Sequence, residues 1–271
     1  MRSNPPTSIK AKNWLIPSGI VVLSLAVVVI WLVFTPPGLI GKLQAVAYSV
    51  CHENPDHSLA ISGMLLPLCA RCTGMFLGGL LGLASLRVLT RGAAYPARRI
   101  RWVLWALVIF FAVDGLNSAA FSFFAGRALY LPSNELRLFS GLGMGMVLAA
   151  VLLSLWRQTM ETTPDLSSGF KSWRHLAITM LVETLLGLSI LFSPAWLYYP
   201  VALLSILAVP FLLTMVYTLL WTMMRKKENS LRNLNLRFTY ILLGCLTAFV
   251  QIGAFDLLRF TLTGTWAGIR F

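Results

Sequence analysis

Apolar runs of about 20 residues, separated by short polar segments, order this chain from end to end. They extend over about Leu15–Phe34, Leu68–Leu89, Trp102–Phe124, Leu136–Trp156, Leu176–Leu197, Val201–Met224 and Phe238–Leu258. Each predicts a membrane helix, because about 20 residues at a 1.5 Å rise cross a hydrocarbon core and a helix satisfies its own backbone. The first two runs are joined by a long connection, Pro36 to Leu68, in which a short amphipathic helix is expected around Ile40–Val50. Pro200 marks a tight turn between the fifth and sixth runs. The first run exceeds the 7–15 residues of a signal-peptide core and ends in Thr35-Pro36-Pro37, so it reads as a retained helix. The expected fold class is all-α, a polytopic bundle of about seven helices. It divides into a tail (residues 1–14), a four-helix unit with a long loop (15–156) and three further helices (157–271).

Composition agrees with that pattern. The chain is 58% hydrophobic and 11% charged, against about 25% charged in soluble domains. The net charge of +13 does not indicate nucleic acid, because the basic residues fall in short clusters between apolar runs. They fix an orientation instead. With the N-terminus in the cytoplasm, 16 of the 22 Lys and Arg lie on the inner side, among them Arg87, Arg91, Arg98, Arg99, Arg101, Arg157, Arg174, Arg225, Lys226, Lys227 and Arg237. The outer side keeps six: Lys42, Arg71, Arg127, Arg137, Arg259 and Arg270. The positive-inside rule therefore predicts a cytoplasmic N-terminus, an extracytoplasmic C-terminus and an extracytoplasmic Cys51–Leu68 segment. A prokaryotic plasma membrane is the expected location.

Chemistry concentrates in one stretch. Three of the four cysteines, two of the three histidines and two of the nine acids lie between Cys51 and Cys72. Cys69 and Cys72, three residues apart behind Pro67, should share one face of a helix N-terminal turn, where free N–H groups and the dipole favour thiolate. With Cys51 and His52 they make up a Cys₃His set suited to zinc, with His57, Glu53 and Asp56 as alternative donors. If a ligand position is open to water, hydrolysis or transfer on a lipid-linked substrate follows; a closed site would be structural. Two other readings stay open. One is a thiol–disulfide oxidoreductase using Cys69 and Cys72; the other is a transporter or scaffold subunit in which a disulfide from Cys51 pins the loop. Among these only some make the chain an enzyme. Expected partners are the lipid bilayer and a lipid-linked substrate, with further copies of the chain an open option and nucleic acid excluded.

Asp114 lies inside the third run, where an ionisable group is costly and turns inward. It is a catalytic candidate with Arg71 and Arg137, and equally a plain ion-pair partner for either arginine. Glu183 is a second, isolated membrane acid, and Asp256 is placed to pair with Arg259. Gly74, Gly78 and Gly82 form a small-residue stripe that admits another helix closely, with Gly141, Gly143 and Gly145 as the facing surface.

Cys51-His52, Ser58 and the run Leu66-Pro67-Leu68-Cys69-Ala70-Arg71-Cys72-Thr73-Gly74, followed by Gly78, resemble the signature of a family of small prokaryotic membrane proteins of unknown function. Asp114-Gly115, Asn134, Arg137, Gly141 and Gly145 resemble its second motif. The resemblance spans about Tyr48 to Trp156. It favours His52 over His57 as a ligand, since arginine is commoner at the latter place, and it implies no activity.

Overall fold

The computed structural model describes residues 8–123, 128–161, 163–166, 170, 172–192, 194–228 and 234–267, with side chains from residue 18 onward. Arg2, Arg127, Lys171, Arg232 and Arg270, all used in the charge argument, lie outside the described residues. The elements are α1 (Ser8–Phe34), α2 (Gly38–Val50), β1 (Ser58–Ile61), β2 (Met64–Cys69), α3 (Ala70–Leu89), α4 (Arg98–Phe123), α5 (Asn134–Met160), α6 (Trp173–Leu191), α7 (Tyr198–Met224) and α8 (Leu234–Thr263). The protein is a multi-pass membrane protein with an all-α membrane body. Helices α3 to α8 are each long and apolar enough to span. The seventh apolar unit is bent: α2 leaves α1 at 110° across Thr35-Pro36-Pro37. The two prolines lack N–H donors and stop the helix there.

Two boundaries move from where the sequence puts them. Helix α1 begins at Ser8, so the second half of the expected tail is helical. Helix α6 ends at Leu191, and the chain turns there through a short 3₁₀ segment, Ala195–Leu197. Pro200 is not that turn. It lies in the first turn of α7, where a missing N–H costs nothing because the first four donors have no intrahelical partner.

The centre of the body is the α3–α5 pair, the most extensive helix contact in the protein. Its closeness follows from glycine. A Cβ at Gly78 would lie 2.7 Å from the carbonyl oxygen of Leu142. One at Gly145 would lie 2.5 Å from Gly79 N and Met75 O, and Gly74 and Gly141 press on the opposite backbones in the same way. Small-residue stripes drive such association in lipid, where packing replaces the hydrophobic effect. Gly143 departs from the expected surface: it is turned away from α3, against Leu107 of α4. Two residues from Gly141 is about 200° around a helix, so three alternate glycines cannot share one face.

Consecutive spans run antiparallel, so α3 and α5 are parallel and the two ends of the bundle are distinct. At one end Arg157 of α5 donates to Thr90 Oγ1 (2.9 Å), Thr90 O (2.6 Å) and Gly92 O (2.9 Å), satisfying carbonyls just beyond α3. At the other end lie α2, the hairpin, and the N-termini of α3, α5 and α7. Replacing Gly78 by Leu should abolish folded protein, because the added bulk meets backbone that cannot move aside. Gly143→Ala, which meets only the Leu107 side chain, should be tolerated. Expression and monodispersity in detergent of the two variants check this.

Candidate metal centre

A hairpin that the hydropathy pattern conceals assembles the site. Ser62 and Gly63 both have positive φ (50° and 82°), the two-residue turn that matches strand twist. Ile61 pairs with Met64, Ala60 with Leu65 and, past an irregularity, Ser58 with Cys69. That pairing returns Cys69 to the segment that begins at Cys51. Cys51 is the C-cap of α2, Cys69 is the N-cap of α3 and Cys72 lies in the first turn of α3. The three Sγ atoms lie within 4.8 Å of one another; Cys51 and Cys69 are buried and Cys72 is half-buried. Tetrahedral zinc with Zn–S bonds of about 2.3 Å places its sulfurs about 3.8 Å apart, so the cluster needs little adjustment to receive such an ion.

The surroundings suit anionic sulfur. Cys51 Sγ accepts N–H bonds from Cys69 (3.3 Å) and Glu53 (3.5 Å). Glu53 holds φ of 53°, a strained region for a residue with a Cβ, and its N–H is one of those two donors. The Cys69 thiol is held well below the usual thiol range by hydrogen bonds from the Cys51 and Cys72 side chains.

Arg259, from α8, ties this loop down. Its Nη1 donates to Tyr48 O (2.7 Å) and Cys51 O (2.5 Å), and its Nη2 donates to His52 O (3.1 Å). The guanidinium stacks on the Tyr48 ring, 3.8 Å from its centroid. These carbonyls close α2 and would otherwise lack partners. The expected Asp256–Arg259 pair is replaced: Asp256 accepts from Trp31 Nε1 at 2.8 Å, and the carboxylate facing Arg259 is Glu53 at 3.7 Å. Burial pushes Glu53 up to about 8 against the pull of Arg259, so at neutral pH that ion pair is mostly discharged and the carbonyl bonds carry the contact.

His52 is outside the three-sulfur group. Its Nε2 lies 3.0 Å from His57 Nδ1. Burial, then the nearby Arg137, lowers His57 to about 4, so its ring is neutral at pH 7. Asp56 is also outside the three-sulfur group, and its N–H is capped by Asn54 Oδ1 at 3.0 Å.

Asp114 sits one layer below and is fully engaged. Its Oδ2 accepts from Arg71 Nε (3.1 Å), Arg71 Nη2 (2.5 Å) and Ser140 Oγ (3.0 Å), and its Oδ1 accepts from Tyr130 OH (3.1 Å). It is thereby the counter-ion that orients Arg71, the residue between the two α3 cysteines. Arg137 does not reach Asp114. It donates to Asn134 Oδ1 (2.7 Å) and Ser118 Oγ (3.4 Å). Asn134 in turn donates to Asp56 O (3.1 Å) and Ser58 O (3.3 Å), fixing the hairpin to α5.

Residues 51–151 match a family model described as "Predicted membrane protein (DUF2085)". That stretch resembles DUF2085. It carries the three cysteines, Arg71, Asp114, Arg137 and the α3–α5 glycines. An uncharacterised protein of Methanocaldococcus jannaschii is 28% identical over 114 residues, covering 42% of this chain and 68% of that protein. No solved structure matches. Arg259 and Tyr198, whose hydroxyl donates to Leu65 O at 3.2 Å, lie outside the matched stretch. Sequence reading misses Tyr198 and gives Arg259 the wrong partner, because lone residues near helix ends carry no pattern. The hairpin did have a signal, Ser62-Gly63 between two apolar triplets.

Asp114→Asn strands the Arg71 guanidinium without a counter-charge and should cost about 3 kcal/mol. The double variant Arg71→Met/Asp114→Asn should cost less than the sum of the single changes. Reversible unfolding in mixed detergent measures both.

Proposed function

We propose that this membrane protein holds one metal ion, zinc by donor chemistry, at an extracytoplasmic site built from Cys51, Cys69 and Cys72. The observation that carries the reading is the convergence of three sulfurs within 4.8 Å from the end of α2 and the start of α3, one of them accepting two backbone N–H bonds. Thiol–disulfide exchange needs two sulfurs, and a third equally close is what a metal uses. His52 is the fourth donor in this reading, released from His57 by a ring rotation; Arg71, oriented by Asp114, balances the charge of the three thiolates. With His52 bound the site is closed and structural; with that position left to water instead, zinc would supply a Lewis acid, and the membrane setting would make a lipid-linked compound the natural substrate class. The extracytoplasmic placement rests on the distribution of Lys and Arg. The bundle end opposite the cysteines carries Arg87, Arg98, Arg99, Arg101, Arg157 and Arg174, which supports it.

The second reading, a dithiol oxidoreductase, is favoured by one feature: Cys69 and Cys72 occupy the N-cap and first turn of α3, where thiolate is stabilised. The only further cysteine, Cys245, lies within α8, so the four thiols do not provide two redox pairs at this face.

Protein purified without reductant should carry close to one metal per chain with its thiols reduced, and Cys72→Ser should lose the metal. A stoichiometric Cys69–Cys72 disulfide without metal would overturn the first reading in favour of the second. Topology is checked separately: a periplasm-only reporter inserted between Glu53 and Leu66 should be active, and one at Ala94 or Lys227 silent. The reverse pattern would remove both readings.

A further inference from the structure

Helix α6 carries a polar row that the cysteine site does not use. His175, Thr179 and Glu183 are spaced four residues apart, so they line one face of the helix over about 12 Å, from its first turn to its middle. The row faces inward, with Thr179 0% and Glu183 4% exposed. Two of its atoms are buried without any hydrogen-bond partner, Glu183 Oε1 and His175 Nδ1. The space for the Glu183 carboxyl is made by Gly82 of α3: a Cβ there would lie 3.1 Å from Oε1 and 2.8 Å from the Ala149 Cβ. Gly82 thus has a second role beyond helix packing.

Among the described residues, no cation forms an ion pair with this carboxyl. The helices packed on α6 are α3 and α5. Their charged residues are Arg71, Arg87, Glu135, Arg137 and Arg157; Arg87, the nearest of them to Gly82 in the chain, is exposed, and the other three arginines are committed elsewhere. Arg71 is on Asp114, Arg137 on Asn134 and Ser118, and Arg157 on Thr90 and Gly92. On α6 itself the other titratable groups are Arg174 and His175, both in its first turn. An uncompensated carboxylate at this depth is costly, whereas a protonated carboxyl is not.

We propose that Glu183 is a proton-binding site inside the membrane, loaded and emptied from the α6 N-terminal end along His175 and Thr179. A proton from bulk water at that end is taken up at the His175 ring and relayed past the Thr179 hydroxyl. It forms an O–H bond on the Glu183 carboxylate, and the reverse steps release it to the same water. No oxidant or second substrate enters. The ligand is the hydron alone, since the row offers one carboxyl and one hydroxyl, the latter donating to His175 O at 2.9 Å, whereas a hard metal cation takes about six or more oxygen ligands.

Infrared spectroscopy of the full-length protein in lipid bilayers tests this. At neutral pH the wild type should show a protonated-carboxyl carbonyl band that is lost in Glu183→Gln. On transfer to deuterated water the band should shift promptly, and in Thr179→Val or His175→Phe it should persist but shift more slowly. Absence of any band removed by Glu183→Gln would overturn the site, and exchange as fast in both row variants as in wild type would overturn the route. Should Glu183→Gln fail to fold, a lipophilic carbodiimide, which attacks protonated carboxyls, serves on wild type. A mass-spectrometric adduct at Glu183 supports the site, and an unmodified Glu183 beside other labelled carboxyls overturns it.

Discussion

Backbone-to-backbone contact between α3 and α5 is the constraint on which the rest of this structure depends. Gly74, Gly78, Gly141 and Gly145 let the two helices meet without intervening side chains, and no hydrophobic force inside a bilayer could substitute for that fit. Because the contact reaches the site end of both helices, their N-termini lie side by side. Arg71 of α3 is thereby placed against Gly141 of α5, and it shares the Asp114 carboxylate with Ser140. The same approach leaves room at Gly82 for a carboxyl from α6. One geometric condition positions the cysteines and hosts the membrane acid.

Around that pair, arginine does the joining. Arg259 closes α2, Arg157 satisfies the chain beyond α3, and Arg71 binds α4 through Asp114, Ser118 and the Asp114 carbonyl. At a membrane boundary a carbonyl without a donor is expensive, and water is scarce. A guanidinium presents several donors in a fixed fork and stays charged, so one side chain serves two or three carbonyls at once. This gives an order of dependence: the helix ends are set by arginine, the loop between Cys51 and Cys69 hangs from those ends, and the sulfurs converge because the loop cannot drift. Glu53, strained in φ and mostly uncharged, belongs to the same design. Its backbone N–H serves Cys51, and its carboxyl contributes little.

The two proposed sites share no residues. The cysteine cluster lies at one end, with soft donors and ordered N–H groups; the α6 row starts from the other end and stops at mid-membrane. Helix α3 touches both, through Cys69 and Cys72 at its start and Gly82 in its second half. A rigid α3 would keep the two independent, and the tightness of its packing on α5 argues for that.

Sequence alone determined what depends on local composition. Runs of apolar residues give the number and approximate position of the spans, because the bilayer core imposes both length and hydropathy, while the start of α1 and the end of α6 fall elsewhere. The glycine stripe and the cysteine-rich segment were legible for the same reason, since regular spacing on a helix specifies a face. Tertiary structure decided the pairings. Asp114 had two arginines available and took Arg71; Gly143, alike in sequence to its neighbours, faces α4; Arg259 passed over Asp256, one turn away, for carbonyls more than 200 residues distant in the chain. The third sulfur joins the other two only because a six-residue strand folds back on a four-residue one. Such choices are set by which backbone groups are left unsatisfied once the helices have docked, and that quantity does not exist until the chain has folded.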